Sequence, residues 1–235
     1  MDGRTARRAR PPAGEEVRGT AMGTTVYQDA TLSIEMLPSL GRFGNNSYIL
    51  RPVSGGPVTV VDVPEGAEAI VEALGETPVE RIVVTHHHFD HWNGFDILRA
   101  HTPAPVLCGA TETNLDATRD VQPLADGATF AVGEATVRAI HTPGHTPGST
   151  CLLVGGALIT GDTLFPGGPG RTQTSENLQQ EIASITSRLY VLPDETLVLP
   201  GHGPTTTIGV SKAEYAVFAS KSHPADLKGD VLWEG

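Results

Sequence analysis

The sequence predicts an α/β protein built in layers, and three features carry that expectation. Short β-branched runs alternate along the chain with segments whose apolar residues recur at helical spacing. Glycine (27) and proline (18) are abundant, which points to many tight turns between short elements and away from a helical bundle. No repeat or low-complexity linker interrupts residues 26–235, which are therefore read as one domain.

The elements follow in order. TLSIEMLPSL (31–40) and NNSYILRP (45–52) alternate loosely and read as strands joined by the turn GRFG. PVTVVDVPEG (57–66) is a β-branched strand that ends at Asp62 and a turn. Ala67, Ile70, Val71 and Leu74 then fall at helical spacing, with Gly75 placed to cap the helix. VERIVVT (79–85) is the next strand, NGFDILRAH (93–101) a short helix with Phe95 and Leu98 three apart, and APVLCG (104–109) a strand. ATVRAIHT (135–142) and TCLLVGGALITGD (150–162) read as two further strands flanking PGHTPGS. SENLQQEIASITSRLY (175–190) lines Leu178, Ile182, Ile185 and Leu189 along one face and is the clearest helix. ETLVLPGHGP (195–204) is a strand running into a turn, and KAEYAVFASK (212–221) is a closing helix.

Charge and composition exclude several function classes. The formal net charge is −11, and five of the 16 basic residues (Arg4, Arg7, Arg8, Arg10, Arg18) lie in the first 18 positions beside three acids. The rest of the chain, with 11 basic and 24 acidic residues, carries −13 and is a poor partner for nucleic-acid phosphates. No apolar run reaches the roughly 18 to 20 residues that span a bilayer. The basic N-terminal segment has no apolar stretch behind it, so residues 1–25 read as a disordered tail rather than a secretory signal, with Met22 as an alternative start. Cys108 and Cys151 have no paired spacing and read as free thiols in a reducing cytoplasm, Cys108 in a buried apolar role.

The chemistry concentrates in VVTHHHFDHWNG (83–94), which holds four of the nine histidines beside an aspartate. His86 and His88 are two apart and would point the same way at the end of an extended strand. His87 has the opposite parity and should point away, while Asp90 and His91 lie past the turn. Imidazole nitrogens and carboxylate oxygens are natural ligands for zinc and similar ions. Three further potential ligands share this setting, each in a Gly/Pro turn at or past a strand end: His145 in HTPGHTPGS, Asp162 in LITGDTLF and His202 in LVLPGHGP. His101, His141 and His223 have no motif partner and read as ordinary histidines.

HxHxDH, HTPGHTPGS, GDTLF and PGHGP, in this order over most of residues 45–205, resemble the metallo-β-lactamase superfamily, and within it the glyoxalase II-like hydrolases. The resemblance implies an αββα sandwich, two mixed β-sheets packed together and flanked by helices, with metals at one edge. It further implies two divalent ions, zinc first with iron or manganese open. His86, His88 and His145 would hold one, Asp90, His91 and His202 the other, and Asp162 would bridge them, with Asp62 supporting the histidines from behind. Two ions roughly 3.5 to 4 Å apart can share a water, lower its pKa toward neutrality and polarise a carbonyl. The resulting hydroxide would attack an acyl carbon, with Asp90 and Asp162 as the catalytic carboxylates.

Differences from neighbouring patterns narrow the choice. His88 rather than Glu disfavours the flavodiiron oxygen reductases, and Asp162 stands where one β-lactamase class has a metal-binding Cys. The lactonases have a tyrosine where this chain has Phe165. GDTLFPGGPGRT (161–172) looks like the glyoxalase II stretch that contacts glutathione, which makes Arg171 a candidate for a substrate carboxylate, although Gln173 replaces an aromatic contact. Trp92 and Phe165 are candidate substrate walls as well as candidate core residues. Only 33 residues follow His202, against a separate helical domain in glyoxalase II proper. The expected partner is a small-molecule acyl substrate, first a thioester of the hydroxyacylglutathione type and next an ester or lactone, with a homodimer left open. Two rivals stand beside this: a persulfide dioxygenase with one iron on His86, His145 and Asp162, and a non-catalytic module that keeps metals for structure.

Overall fold

The computed structural model describes residues 23–113, 115 and 119–233. Most of the segment read as a disordered tail (1–22) lies outside them, and the first strand starts at Thr24, two residues ahead of the boundary drawn from sequence.

The first sheet runs in chain order: β1 (Thr24–Gln28), β2 (Leu32–Leu40), β3 (Asn45–Pro52), β4 (Val58–Val61), β5 (Val79–Val84), β6 (Val106–Gly109) and β7 (Val121–Leu124). Its first four strands pair antiparallel and the rest parallel, with α1 (Glu68–Leu74) and α2 (Phe95–His101) as crossovers. The second sheet contains β8 (Thr129–Val132), β9 (Ala135–His141), β10 (Thr150–Val154), β11 (Ala157–Gly161), β14 (Leu197–Pro200) and β15 (Thr206–Thr207), in the order β15-β14-β11-β10-β9-β8. β11 and β14 are parallel and the other pairs antiparallel, so this sheet is also mixed. A small ribbon of β12 (Leu164–Phe165) and β13 (Gly168–Pro169) leads to α3 (Ser175–Ser184), and α4 (Ile208–Ala219) follows β15.

Period-two alternation builds the four layers. Ile49, Val60 and Val84 face outward onto Ile70, Leu74, Phe95 and Leu98 of α1 and α2. Their strand neighbours Leu50, Val61 and Val83 face inward onto Leu152, Ile159 and Leu199 of the second sheet. Cys151, Leu158 and Val198 take the opposite side of that sheet and pack against Leu178, Ile185, Ile208 and Phe218. Each of these large aliphatic or aromatic side chains contributes about 1.5–3 kcal/mol of transfer free energy on burial. The result is the αββα sandwich expected from the motifs.

Several elements differ from the sequence expectation. TCLLVGGALITGD is a hairpin rather than one strand: Gly155 (φ 54°) and Gly156 turn the chain between β10 and β11. The long helix stops being regular at Ile185, where Ile185–Leu189 widen into π-type turns. The last helix begins at Ile208, four residues early, because the Thr207 hydroxyl accepts the N–H of Val210 and caps it. After α4 the chain does not trail away. Val231 and Trp233 are buried against the outer face of the second sheet, and Thr172 and Gly229 exchange two backbone hydrogen bonds of 3.2 and 3.0 Å.

Candidate metal centre

Five chain segments leave strand ends at one edge of the sandwich and deliver every motif residue there. β4 ends at Asp62, β5 at His86 and His88, β11 at Asp162 and β14 at His202, while the β9–β10 connection carries His145. A single 3-10 turn, Phe89–His91, places Asp90 and His91. The two sheets are fastened here: the Asn46 N–H donates to the Gly201 carbonyl (2.7 Å), and the Tyr48 hydroxyl to that of Pro200 (2.7 Å). Gly201 is a spatial necessity, since a Cβ on it would lie 2.4 Å from Asp162 Oδ1 and 2.6 Å from His91 Cε1.

The ligand-type atoms converge in three overlapping groups: His86, His88 and His145; His86, His91 and Asp162; and Asp90, His91 and His202. Within each group they lie within 4.8 Å of one another. Asp162 faces several histidines, with Oδ1 3.2 Å from His91 Nε2, and Oδ2 3.5 Å from His202 Nε2 and 3.7 Å from His145 Nε2. His202 Nε2 also lies 3.3 Å from Asp90 Oδ2, which accepts the Asn45 amide at 3.1 Å.

The outward ring nitrogens are held from behind. His91 Nδ1 is 2.8 Å from Asp62 Oδ2, His145 Nδ1 2.9 Å from the Arg171 carbonyl, His202 Nδ1 3.2 Å from the Phe43 carbonyl and His86 Nδ1 3.1 Å from the Thr85 hydroxyl. Asp62 is itself fixed, since both the N–H and the hydroxyl of Thr85 donate to its carboxylate. It sits at φ 59°, a left-handed conformation that aspartate tolerates better than most residues.

The inward atoms fit a divalent cation. His91 Nε2, His145 Nε2 and Asp162 Oδ1 are buried and make no hydrogen bond, although charge pairing brings His91 and Asp162 close. His86 Nε2 and His88 Nδ1 point at each other across 3.1 Å, which requires a proton or a cation to relieve lone-pair repulsion. Orphaned buried polar atoms of this kind carry a desolvation cost unless something binds them.

Protonation divides the histidines in two. Burial, then the neighbouring histidines, keep His86 neutral and lower His88 to about 4, and burial also lowers His145. Burial works in the same direction on His91 and His202, but carboxylates override it: Asp162 and Asp62 raise His91 well above its usual value, and hydrogen bonds to Asp162 and Asp90 raise His202 to about 9. Burial would raise both Asp90 and Asp162, yet His202 and His91 hold both well below the usual carboxylate range.

A cavity of about 680 Å³ opens above this cluster. His88, Asp90, His145 and Asp162 form its floor, while Phe89, Arg171, Gln173 and Lys228 stand around it. Arg171 is largely exposed, with Nε 3.9 Å from Asp230. The other sequence candidates sit elsewhere. Trp92 is 5% exposed, packed in the core beneath the Arg119 guanidinium, and is not on the cavity wall. Phe165 is buried beside the site, its ring 6.3 Å from that of His202. A second cavity of about 600 Å³ beside α2 contains Arg99 and Arg119, both already engaged with the Phe95 ring and backbone carbonyls.

Four residues escaped the sequence reading. Asn45 had a signal, since two asparagines opening a strand run against strand propensity. Glu112, Lys228 and Glu181 had none, being isolated charges in loops and a helix. Glu181 is fully buried, accepts the Gly170 N–H at 3.1 Å, and is pushed well above the usual carboxylate range by burial.

Comparison with known proteins agrees with this architecture. Residues 40–216 match the family model of the metallo-beta-lactamase superfamily. A Schizosaccharomyces pombe protein named as a probable hydroxyacylglutathione hydrolase is 32% identical over 169 residues, covering 68% of this chain and 64% of that one. This chain thus spans a little under two thirds of that relative. Among solved structures, ETHE1 from Myxococcus xanthus is 30% identical with a TM-score of 0.66, over 76% of this chain and 81% of that one. TTHA1623, solved in a di-iron-bound form, is 27% identical with a TM-score of 0.61, over 74% of this chain and 94% of that one. On its layers, its ligand-rich edge and this match, the chain belongs to the metallo-beta-lactamase superfamily, whose members are mostly metal-dependent hydrolases.

Proposed function

We propose that the protein is a binuclear metal-dependent hydrolase that cleaves an acyl bond, first of all a thioester of the hydroxyacylglutathione type. The observation that carries this is the convergence of His86, His88, Asp90, His91, His145, Asp162 and His202 in one cluster, four of them on a cavity floor, with unpartnered buried atoms among them. The thioester is supported by the similarity to a relative named for that activity and by the cations beside the cavity.

In this reading His86, His88 and His145 hold one cation and Asp90, His91 and His202 the other, with zinc the first choice and iron or manganese next. Asp162 spans the two groups because its two oxygens face different histidines. Bound there, the cations would make water a nucleophile near neutral pH and polarise the acyl carbonyl. The chain supplies the rest. Asp90 and Asp162, held ionised, are the carboxylates that orient the attacking water. Asp62 and the carbonyls of Phe43 and Arg171 fix the rings of His91, His202 and His145. Arg171 and Lys228 are placed to take a substrate carboxylate, and Phe89, 62% exposed, offers an apolar wall.

The test is hydrolysis of S-lactoylglutathione by metal-reconstituted protein, followed by loss of thioester absorbance, with Asp162→Ala as the blank. Metal-dependent turnover supports the thioesterase. Turnover of esters or lactones but not of this thioester would keep the hydrolase and change its substrate. A single iron per chain with oxygen consumption would favour a persulfide dioxygenase instead.

A further inference from the structure

The middle histidine of the cluster, which the metal groups leave unused, has a partner on the far side. His87 Nδ1 lies 2.7 Å from Glu112 Oε1, and the His87 backbone N–H donates to Glu112 Oε2 at 3.3 Å. The same Oε2 accepts the Thr146 hydroxyl at 2.7 Å, and the N–H of Thr113 donates to Oε1 at 3.2 Å. The Glu112 side chain is 0% exposed. A carboxylate removed from water is costly unless paired and hydrogen-bonded, and this one has four donors. The contact is also tight, since a Cβ on Gly148 would lie 2.5 Å from Glu112 backbone and side-chain atoms.

His87 stands between His86 and His88, and Thr146 follows His145. One buried carboxylate therefore ties together the two loops that supply the group His86, His88 and His145. That group needs such a tie. His86 and His145 are braced through Nδ1, but His88 turns its Nδ1 toward His86, and among the described residues no hydrogen bond holds its outer nitrogen. Besides edge-on contacts with the rings of His86, His87 and His145, what orients His88 is the backbone just before it, which Glu112 grips through both the ring and the N–H of His87.

We propose that Glu112, with His87 and Thr146, is the positioning strut of the His86/His88/His145 metal position, acting on that position and not on the other. The proposal rests on the binuclear reading, and titration with Co²⁺ alone separates the two. Wild type should bind two Co²⁺ per chain; binding of none would overturn the binuclear reading itself. Glu112→Gln keeps the side-chain shape but cannot accept from all these donors, and is expected to bind one Co²⁺ with wild-type affinity and the other about 10- to 100-fold more weakly. The visible spectrum of its remaining tight ion should match that of His88→Ala, which loses the same position, and differ from that of His202→Ala. His87→Ala removes the partly exposed end of the strut and should give the same selective loss with a smaller stability change. Two tight ions in both strut variants, equal weakening of both positions, or a residual spectrum like that of His202→Ala would overturn the strut while leaving the two-metal site intact.

Discussion

Asp62 Oδ2 lies 2.8 Å from His91 Nδ1, and neither side chain is more than 1% exposed. The contact crosses 29 residues and joins the end of β4 to the turn behind β5, so a left-handed aspartate at a strand end fixes the ring of a candidate ligand. Asparagine also tolerates the left-handed conformation, so Asp62→Asn removes the carboxylate charge and one of its two acceptor oxygens without adding backbone strain. It should weaken metal binding at the Asp90/His91/His202 position by about 10- to 100-fold, as measured by chelator competition. Unchanged affinity would remove Asp62 from the metal centre.

Acid should empty the two positions in a fixed order. A metal needs neutral imidazole, so it competes with the proton on His202, whose pKa is raised to about 9, and with the proton on His91, which is raised well above its usual value. Below pH 9 apparent affinity at that position should fall about tenfold or more per pH unit. His88, lowered to about 4, stays neutral until the pH nears that value. Metal content after dialysis at descending pH should therefore drop first by one ion per chain. Loss of both ions together would contradict these assignments.

Arg171→Ala and Lys228→Ala should each raise KM for an acyl substrate bearing a carboxylate by about tenfold with little change in kcat, the pattern of lost ground-state binding. An uncharged ester of similar size serves as the control and should be unaffected. A fall in kcat with constant KM would place these cations nearer the reacting bond than the cavity geometry does.

Trp233→Ala should lower stability by about 3–5 kcal/mol, since the indole is fully buried against Tyr190 and Tyr215. It should also raise KM, because the same segment holds Lys228 at the cavity through the Thr172–Gly229 bridge. Urea unfolding and steady-state kinetics on the same sample test both. A stability loss with unchanged KM would uncouple the C-terminal segment from substrate binding.

The fold and the candidate metal centre were legible because ligands follow strand ends directly. The parity of His86 and His88 and the turn placing Asp90 and His91 are local properties, and four motifs in order leave few alternatives. Other features depend on tertiary packing. β10 and β11 are buried on both faces, so the run 150–162 has no alternation and hides its hairpin except at Gly155 and Gly156. β7 is an edge strand containing Gln122 and Pro123, a composition that reads as loop. Trp92 follows His91 in sequence, but as the residue that ends the 3-10 turn it packs its indole into the core with Phe95 and Leu98. Glu112 is an isolated acid whose side-chain partners, His87 and Thr146, are 25 and 34 positions away, and no spacing could have announced it.

The most direct test of the central claim is metal stoichiometry, measured by elemental analysis on reconstituted wild type and Asp162→Ala. The binuclear assignment expects two ions per chain in wild type and at most one, with no hydrolytic turnover, in the variant. Two tightly held ions in Asp162→Ala, or none in wild type, would contradict it.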